Sequence, residues 1–497
     1  MEDSLKKRYS VKLIASILNG ILGVIIVAFV PKALGPVSFG QFSYLQQFFT
    51  QIIAFLDAGT STAFFTKLSA HNNRKELLTF YFFFVVGLFS FLFISLYILD
   101  IFNYVHIWIP SISMEHIYLG MFFGFFIWLL QIYIQVSDAY ALTASVEIIK
   151  IVHKIIMVMF LLYIIHFLSF NLSVYFYYQI FSSVTIVGIL SLLFIKKGIY
   201  TKSLCTIDIA YKRISKEFYT YASPLFVFNA VAIAITLFDI WLLQRIGGSV
   251  QTGYYGLAYS IAAMCFLFTS ALTPIITREF SKSFAENDME HIRYLFKRYI
   301  PMLYAVSAYF AVFIAFQSEN LLALFTDEKF KDAYFVLVIM SFYPIHQTYG
   351  QLSGSLFFSS GNTKLYRNIG LFTSLFGLVF SYLFIYVLEL GAVGFAWKMI
   401  LIQIISVNIQ LYFNAETLQI RLAPFLYHQI YTVITFSVLA YVSSQVHLNN
   451  TLLEFLLSGM VYTLLIVLVS IRFPALFASN KEEVSTFVGM IRSKLNI

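Results

Sequence analysis

Ionisable side chains are scarce in this sequence, and those inside long apolar runs mark where chemistry would be sited. Lys398 stands well within the run 391–413, behind Phe395, Ala396 and Trp397. Glu147, Lys150 and Lys154 are spaced three, four and seven apart, which sets them on one helical face. A lysine so placed can attract phosphate oxygens, or close an ion pair, or extend its stem to the headgroups. A charge near a bilayer centre costs at least about 2.5–3.5 kcal/mol on insertion scales, so each of these is expected to face a cavity or a partner. Asp57 and Asp239 suit a lysine partner such as Lys398, a coupling proton or sodium ion, or the cap of a broken helix. His346 follows Pro344, where a kink is expected, and suits either a protonation switch or a packing role.

These side chains need elements that hold them in lipid, and composition supplies the reason to expect them. Of 497 residues, 60% are apolar and 11% charged, against about 25% charged in soluble domains. No packed core hides so much apolar surface, so a soluble multidomain enzyme is excluded. Runs of about 20 apolar residues give candidate spans. They are 11–30, 42–66, 78–99, 118–138, 147–168, 174–195, 220–243, 254–277, 299–317, 334–357, 367–387, 391–413, 427–445 and 452–471. The second, fifth and tenth are the most polar and are expected to face protein or a cavity and not lipid. Charged residues 1–10 precede an apolar run without a small-residue cleavage site, which reads as an uncleaved first span. Cys205 and Cys265 suggest neither a disulfide nor a metal site.

The net charge of +8 is expected to set orientation, not to recruit nucleic acid. With the N-terminus inside, 25 of the 32 Lys and Arg share the inner face. Lys32, Arg245, Lys329 and Lys331 lie outside, and Lys150, Lys154 and Lys398 fall within spans. A miscounted helix would invert every later loop, so an even count with both termini cytoplasmic is expected. The inner-face cations need no role beyond orientation.

A repeat organises the spans. Gly35, Gly40, Phe42 and Tyr44 recur as Gly248, Gly253, Tyr255 and Leu257 at an offset of 213. The offset carries three helix starts onto expected helix starts within a few residues, and Lys154 onto Arg367. The expected fold is an all-α polytopic membrane protein of about 14 helices. Two six-helix lobes are related by a pseudo-two-fold along the membrane normal, and two C-terminal helices follow. Residues 1–212 form the first lobe, 213–415 the second, and 416–497 the appended pair with a tail. Such halves imply a substrate path between bundles and access by rocking.

The run Ala33-Leu34-Gly35-Pro36-Val37-Ser38-Phe39-Gly40-Gln41-Phe42 resembles the N-terminal signature of Wzx-type polysaccharide repeat-unit flippases. Asp57-Ala58-Gly59 with Thr60 to Lys67 is similar to the same family. So are Asp239 to Pro274 and Ser353-Gly354-Ser355 through Gly361-Asn362-Thr363-Lys364. The resemblance implies a MATE-like exporter of the multidrug/oligosaccharidyl-lipid/polysaccharide superfamily, in the bacterial inner membrane. It implies translocation of an undecaprenyl-pyrophosphate-linked oligosaccharide for O-antigen, capsule or other polysaccharide. The polysaccharide polymerase and chain-length regulator are its implied partners. On that reading Lys150, Lys154 and Arg367 engage the pyrophosphate, while Lys398 and Trp397 line the glycan cavity. Asp57, Asp239 and His346 couple an ion or pair the lobes. Lipid II flippases typically carry arginines in the first helix; residues 13–30 here hold no cation.

No phosphate loop, His-Glu-x-x-His or Gly-x-Ser-x-Gly is present, and no cofactor is expected. A membrane glycosyltransferase or polymerase would need a large outer loop with acidic or arginine residues. The outer segment 100–117 is short and has no Lys or Arg. A cation-coupled multidrug exporter is the alternative within the same superfamily.

Overall fold

Apolar sequence in lipid must satisfy its backbone internally, and helices do so within one segment. The computed structural model describes residues 5–70, 74–200, 211–480 and 482, and every regular element among them is helical. Lys202, Cys205, Lys481, Arg492 and Lys494 lie outside the described residues, as do the side chains of Lys6, Lys7, Arg8, Lys12, Pro224 and Pro274. The first elements are α1 (Leu5–Asp57), α2 (Thr60–Ala70), α3 (Lys75–Ile101), α4 (Val105–Trp108), α5 (Met114–Ala139), α6 (Thr143–Phe167) and α7 (Leu172–Lys196). Then come α8 (Tyr211–Ala262), α9 (Phe266–Ala285), α10 (Met289–Phe316), α11 (Ser318–Phe325), α12 (Tyr334–Met340) and α13 (Tyr343–Ser359). The last are α14 (Thr363–Ser381), α15 (Gly391–Leu418), α16 (Ala423–Ser443) and α17 (Thr451–Arg472). Eleven described helices are long and apolar enough to cross a membrane. The protein is an all-α polytopic membrane protein.

Two of the eleven hold more than one span. A straight helix as long as α1 would reach about 80 Å, well over twice a hydrocarbon core. It breaks at Gly35, with φ 73° and ψ 168°, and α8 breaks at Gly248, with φ 71° and ψ −176°. Both glycines belong to the sequence repeat, and only glycine adopts such angles without strain. The repeated turns also touch. A Cβ on Gly40 would overlap the Ser249 carbonyl and come within 2.8 Å of the Gly253 nitrogen. A Cβ on Gly253 would overlap the Pro36 carbonyl. Residues 36 and 40 correspond to 249 and 253 at the repeat offset, so the contact is reciprocal, each turn offering the other the same groups.

The chain forms two compact units, Met1–Gly253 and Tyr254–Ile497. In the first, α1 packs on α5 and α6, and α5 on α7. Gly120 and Gly124, one turn apart on α5, leave room for Leu45 and Phe49 of α1, the close approach that small residues permit between membrane helices. Phe42 sits among Phe123, Tyr175 and Phe176.

In the second unit α10 is central, flanked by α9, α13 and α16; its apolar window is 56% buried, against 17% for α3 and α17. The expected tenth span is α12 plus α13, and Pro344 lies in the first turn of α13, where its missing N–H costs nothing. As its polarity implied, α13 faces protein, packing on α9, α10 and α15. Helix α14 ends in a π turn over Tyr382–Val387. Asparagine and aspartate caps open several helices: Asn171 accepts from Val174 N, Asp288 from His291 N and Asn450 from Leu453 N.

Candidate functional site

In the first unit the charges of α6 are engaged. Glu147 is buried and accepts from Lys150 Nζ at 2.9 Å. Lys154 Nζ donates to the Asn19 carbonyl of α1 at 3.1 Å, spending one of its three donors. His153 bonds Thr185 of α7 at 2.9 Å, so α6 is fastened to both neighbours. Asp57 is 6% exposed and accepts four hydrogen bonds. Its Oδ1 takes Thr60 Oγ1 at 2.7 Å, Ser61 N at 3.1 Å and Tyr81 OH at 3.1 Å; Oδ2 takes Ser61 Oγ at 2.7 Å. Ala58 and Gly59 both have positive φ, so the chain turns there and restarts as α2 under the carboxylate. Asp57 thus caps the break between α1 and α2 and ties it to α3. Asp239 is buried on α8 and is engaged with a partner.

In the second unit Lys398 is 6% exposed, and Trp397 beside it is 44% exposed. The lysine passes Gly377 of α14: a Cβ there would lie 3.4 Å from Cε and 3.8 Å from Nζ. Its Nζ is 5.5 Å from the Phe395 ring centre, and the residue makes a further interaction besides. Arg367, in the first turns of α14, bonds the neighbouring Asn368 side chain. His346 is buried on α13 edge-on to Tyr304, and its Nδ1 has no partner among the described residues.

A polar seam around α13 was not foreseen. Thr348 meets Thr269 at 3.1 Å, Ser355 meets Thr277 at 2.8 Å and Ser359 meets Ser281 at 3.0 Å. On its other side, Asn414 donates to Ser353 Oγ at 2.7 Å, and Gln403 donates to Gln347. Asn408 of α15 continues the seam to Gln429 of α16. The available signal was the recurrence of Thr and Ser every fourth residue from Thr269 to Ser281, a one-face stripe at helical period.

The first unit also holds a cavity of about 670 Å³ between α1, α3, α4 and α8, lined by Phe48, Ile52, Phe91, Trp108 and Phe238 among others. Its lining has no charged residue, so it suits apolar chains and not a glycan.

An ionic cluster closes one end of this unit. Glu217 of α8 meets Lys67 at 3.3 Å and Arg74 at 3.1 Å; Glu76 meets Arg74 and Arg213, each at 2.9 Å. The Arg74 guanidinium, seconded by Lys67, holds the Glu217 carboxyl below its usual range, and that bond raises Arg74 in turn.

No family model and no curated protein sequence matches the chain. Solved structures do. A lipid II flippase, MurJ, in an inward closed conformation aligns at TM-score 0.67 and 15% identity, over 94% of this chain and 99% of that one. An inward-facing multidrug resistance MATE family transporter of the MOP superfamily aligns at 0.62 and 15%, over 84% and 99%. The MATE multidrug transporter DinF-BH aligns at 0.54 and 14%, over 84% and 96%. The chain shares the fold of these transporters and flippases.

Proposed function

We propose that this protein is a flippase of the MOP superfamily, moving an undecaprenyl-pyrophosphate-linked oligosaccharide across the bacterial inner membrane, both termini cytoplasmic. The observation that carries the reading is the extent of the fold likeness. The flippase alignment takes in 94% of the chain, whereas the multidrug transporters leave out about a sixth of it. The motif runs at Ala33–Phe42 and Ser353–Lys364 add the polysaccharide class, and the lack of any cation in residues 13–30 speaks against lipid II itself.

In this mechanism Lys150, Lys154 and Arg367 engage the pyrophosphate. Lys154 keeps two ammonium donors and Arg367 is half-exposed, so both can bind oxygens. Lys398, with Trp397, replaces part of the glycan's hydration while the polyprenyl tail stays in lipid. Asp57, Asp239 and His346 are the groups able to exchange a coupling ion. A multidrug exporter is the second reading, favoured by the MATE alignments.

Complementation separates these. In a strain without its repeat-unit flippase the gene should restore surface glycan. Rescue of a lipid II flippase depletion, or drug resistance alone, would reject the proposal. Lys398→Ala should abolish glycan export at normal membrane levels; normal glycan would remove Lys398 from the site.

A further inference from the structure

Three of the inner-face cations converge in the second unit. Arg293 and Lys297 stand one turn apart on the same face of α10. Arg421 lies in the turn between α15 and α16. Together with Ser479, beyond the end of α17, they line a pocket of about 810 Å³ with no Asp or Glu among its described lining residues. Among the described residues Lys297 and Arg421 have no ion-pair partner. Arg293 gives its Nε to the Leu418 carbonyl at 2.7 Å, capping α15 and leaving its terminal nitrogens available. The back of the pocket is fixed. Tyr431 OH donates to the Ala475 carbonyl at 2.9 Å, and His428 bonds the Leu476 carbonyl at 3.0 Å, holding the turn after α17 in place. Pro301 and Phe425 give the floor an apolar patch.

Like charges gathered without a carboxylate repel one another unless an anion joins them. The level of the pocket says which anion is at hand. The membrane-crossing helices α10 and α16 begin here, at Met289 and Ala423, and α17 ends here at Arg472, with Arg293 and Lys297 just ahead of the apolar run 299–317. That is headgroup depth, and basic pockets between membrane helices suit phosphate headgroups. We propose that this pocket binds the phosphate of an anionic phospholipid, its acyl chains leaving along the apolar floor. The assignment is independent of what the protein transports.

The test uses the full chain in nanodiscs of phosphatidylcholine with and without phosphatidylglycerol, read by native mass spectrometry and thermal unfolding. Lys297→Ala with Arg421→Ala should weaken phosphatidylglycerol binding by roughly tenfold to thirtyfold and cancel most of its stabilisation. Lys282→Ala with Lys364→Ala, equal in charge but outside the pocket, should leave both nearly unchanged. Equal losses in the two pairs, or none in the first, would overturn the site. Inorganic phosphate at matched ionic strength, added to phosphatidylcholine discs, should stabilise nothing; an equal shift would overturn the lipid assignment. If the first pair does not fold, Arg421→Gln alone carries the same comparison.

Discussion

At the scale of single residues, Asp57 shows how one carboxylate can serve structure while remaining chemically suited to transport. It anchors two hydroxyls, a phenol and a backbone N–H within one helical break. Asp57→Ala removes a cap and several charge-assisted bonds, so a loss of about 2–4 kcal/mol is expected. Asp57→Asn keeps an acceptor and should cost about half as much. Thermal unfolding in detergent measures both. If Asp57→Asn unfolds like the wild type yet exports nothing, the carboxylate exchanges an ion; if export follows stability, it acts as a cap. The sequence suggested a cap or an ionic partner for Asp57, but the Tyr81 bond joins residues 24 positions apart and no local pattern announces it. Lys398 was legible as a buried cation. Gly377, which makes room for its stem, was not, because a glycine in an apolar run reads as any small residue.

Secondary-structure elements carry two further predictions. The ionic cluster pins α8 to the start of α3, and the Glu217 carboxyl within it is depressed in the folded state. Its stabilisation is therefore complete above the unfolded glutamate pKa, near 4.3, and fades as pH falls through the lower folded value. Glu217→Gln should lower the unfolding midpoint at neutral pH by the equivalent of about 1 kcal/mol or less, and should flatten the loss on acidification. Melting curves at stepped pH check both. The glycine turns are less forgiving. Gly40→Ala or Gly253→Ala drives a Cβ into a backbone carbonyl, and overpacking of this kind typically costs about 1–3 kcal/mol or more. Loss of the folded peak in size-exclusion chromatography would register it. The repeat made these turns visible in sequence. It could not show that they meet, since matching spacing says nothing of contact. The seam on α13 escaped for a related reason: each of its residues is ordinary, and only pairing across helices makes it a network.

For the molecule as a whole, the helical class and span positions follow from hydropathy, because lipid leaves the backbone few choices. The role of the last two helices was harder to read. Described from sequence as an appended pair, they join the core around α10, where Phe425, Phe436, Tyr462 and Ile466 pack with Leu303 and Tyr304. Tyr462 OH bonds the Tyr309 carbonyl at 3.1 Å, and Asn320 bonds Glu454 at 3.0 Å. A chain ending at Leu418 should therefore not persist as a monodisperse protein in detergent. Size-exclusion chromatography decides this, and a sharp monomer peak for the truncated chain would show that α16 and α17 are dispensable.

The reciprocal glycine contact also explains which letters the two halves were free to change. Position 36 is proline and its counterpart 249 is serine, yet positions 40 and 253 are both glycine. At the first pair only a carbonyl takes part, and every amino acid supplies one. At the second the neighbour occupies the place of a side chain, which leaves one letter in the alphabet. A saturation library across both turns should thus return two intolerant columns in each copy, 35 and 40 in the first and 248 and 253 in the second, with the position just after the earlier glycine permissive in both.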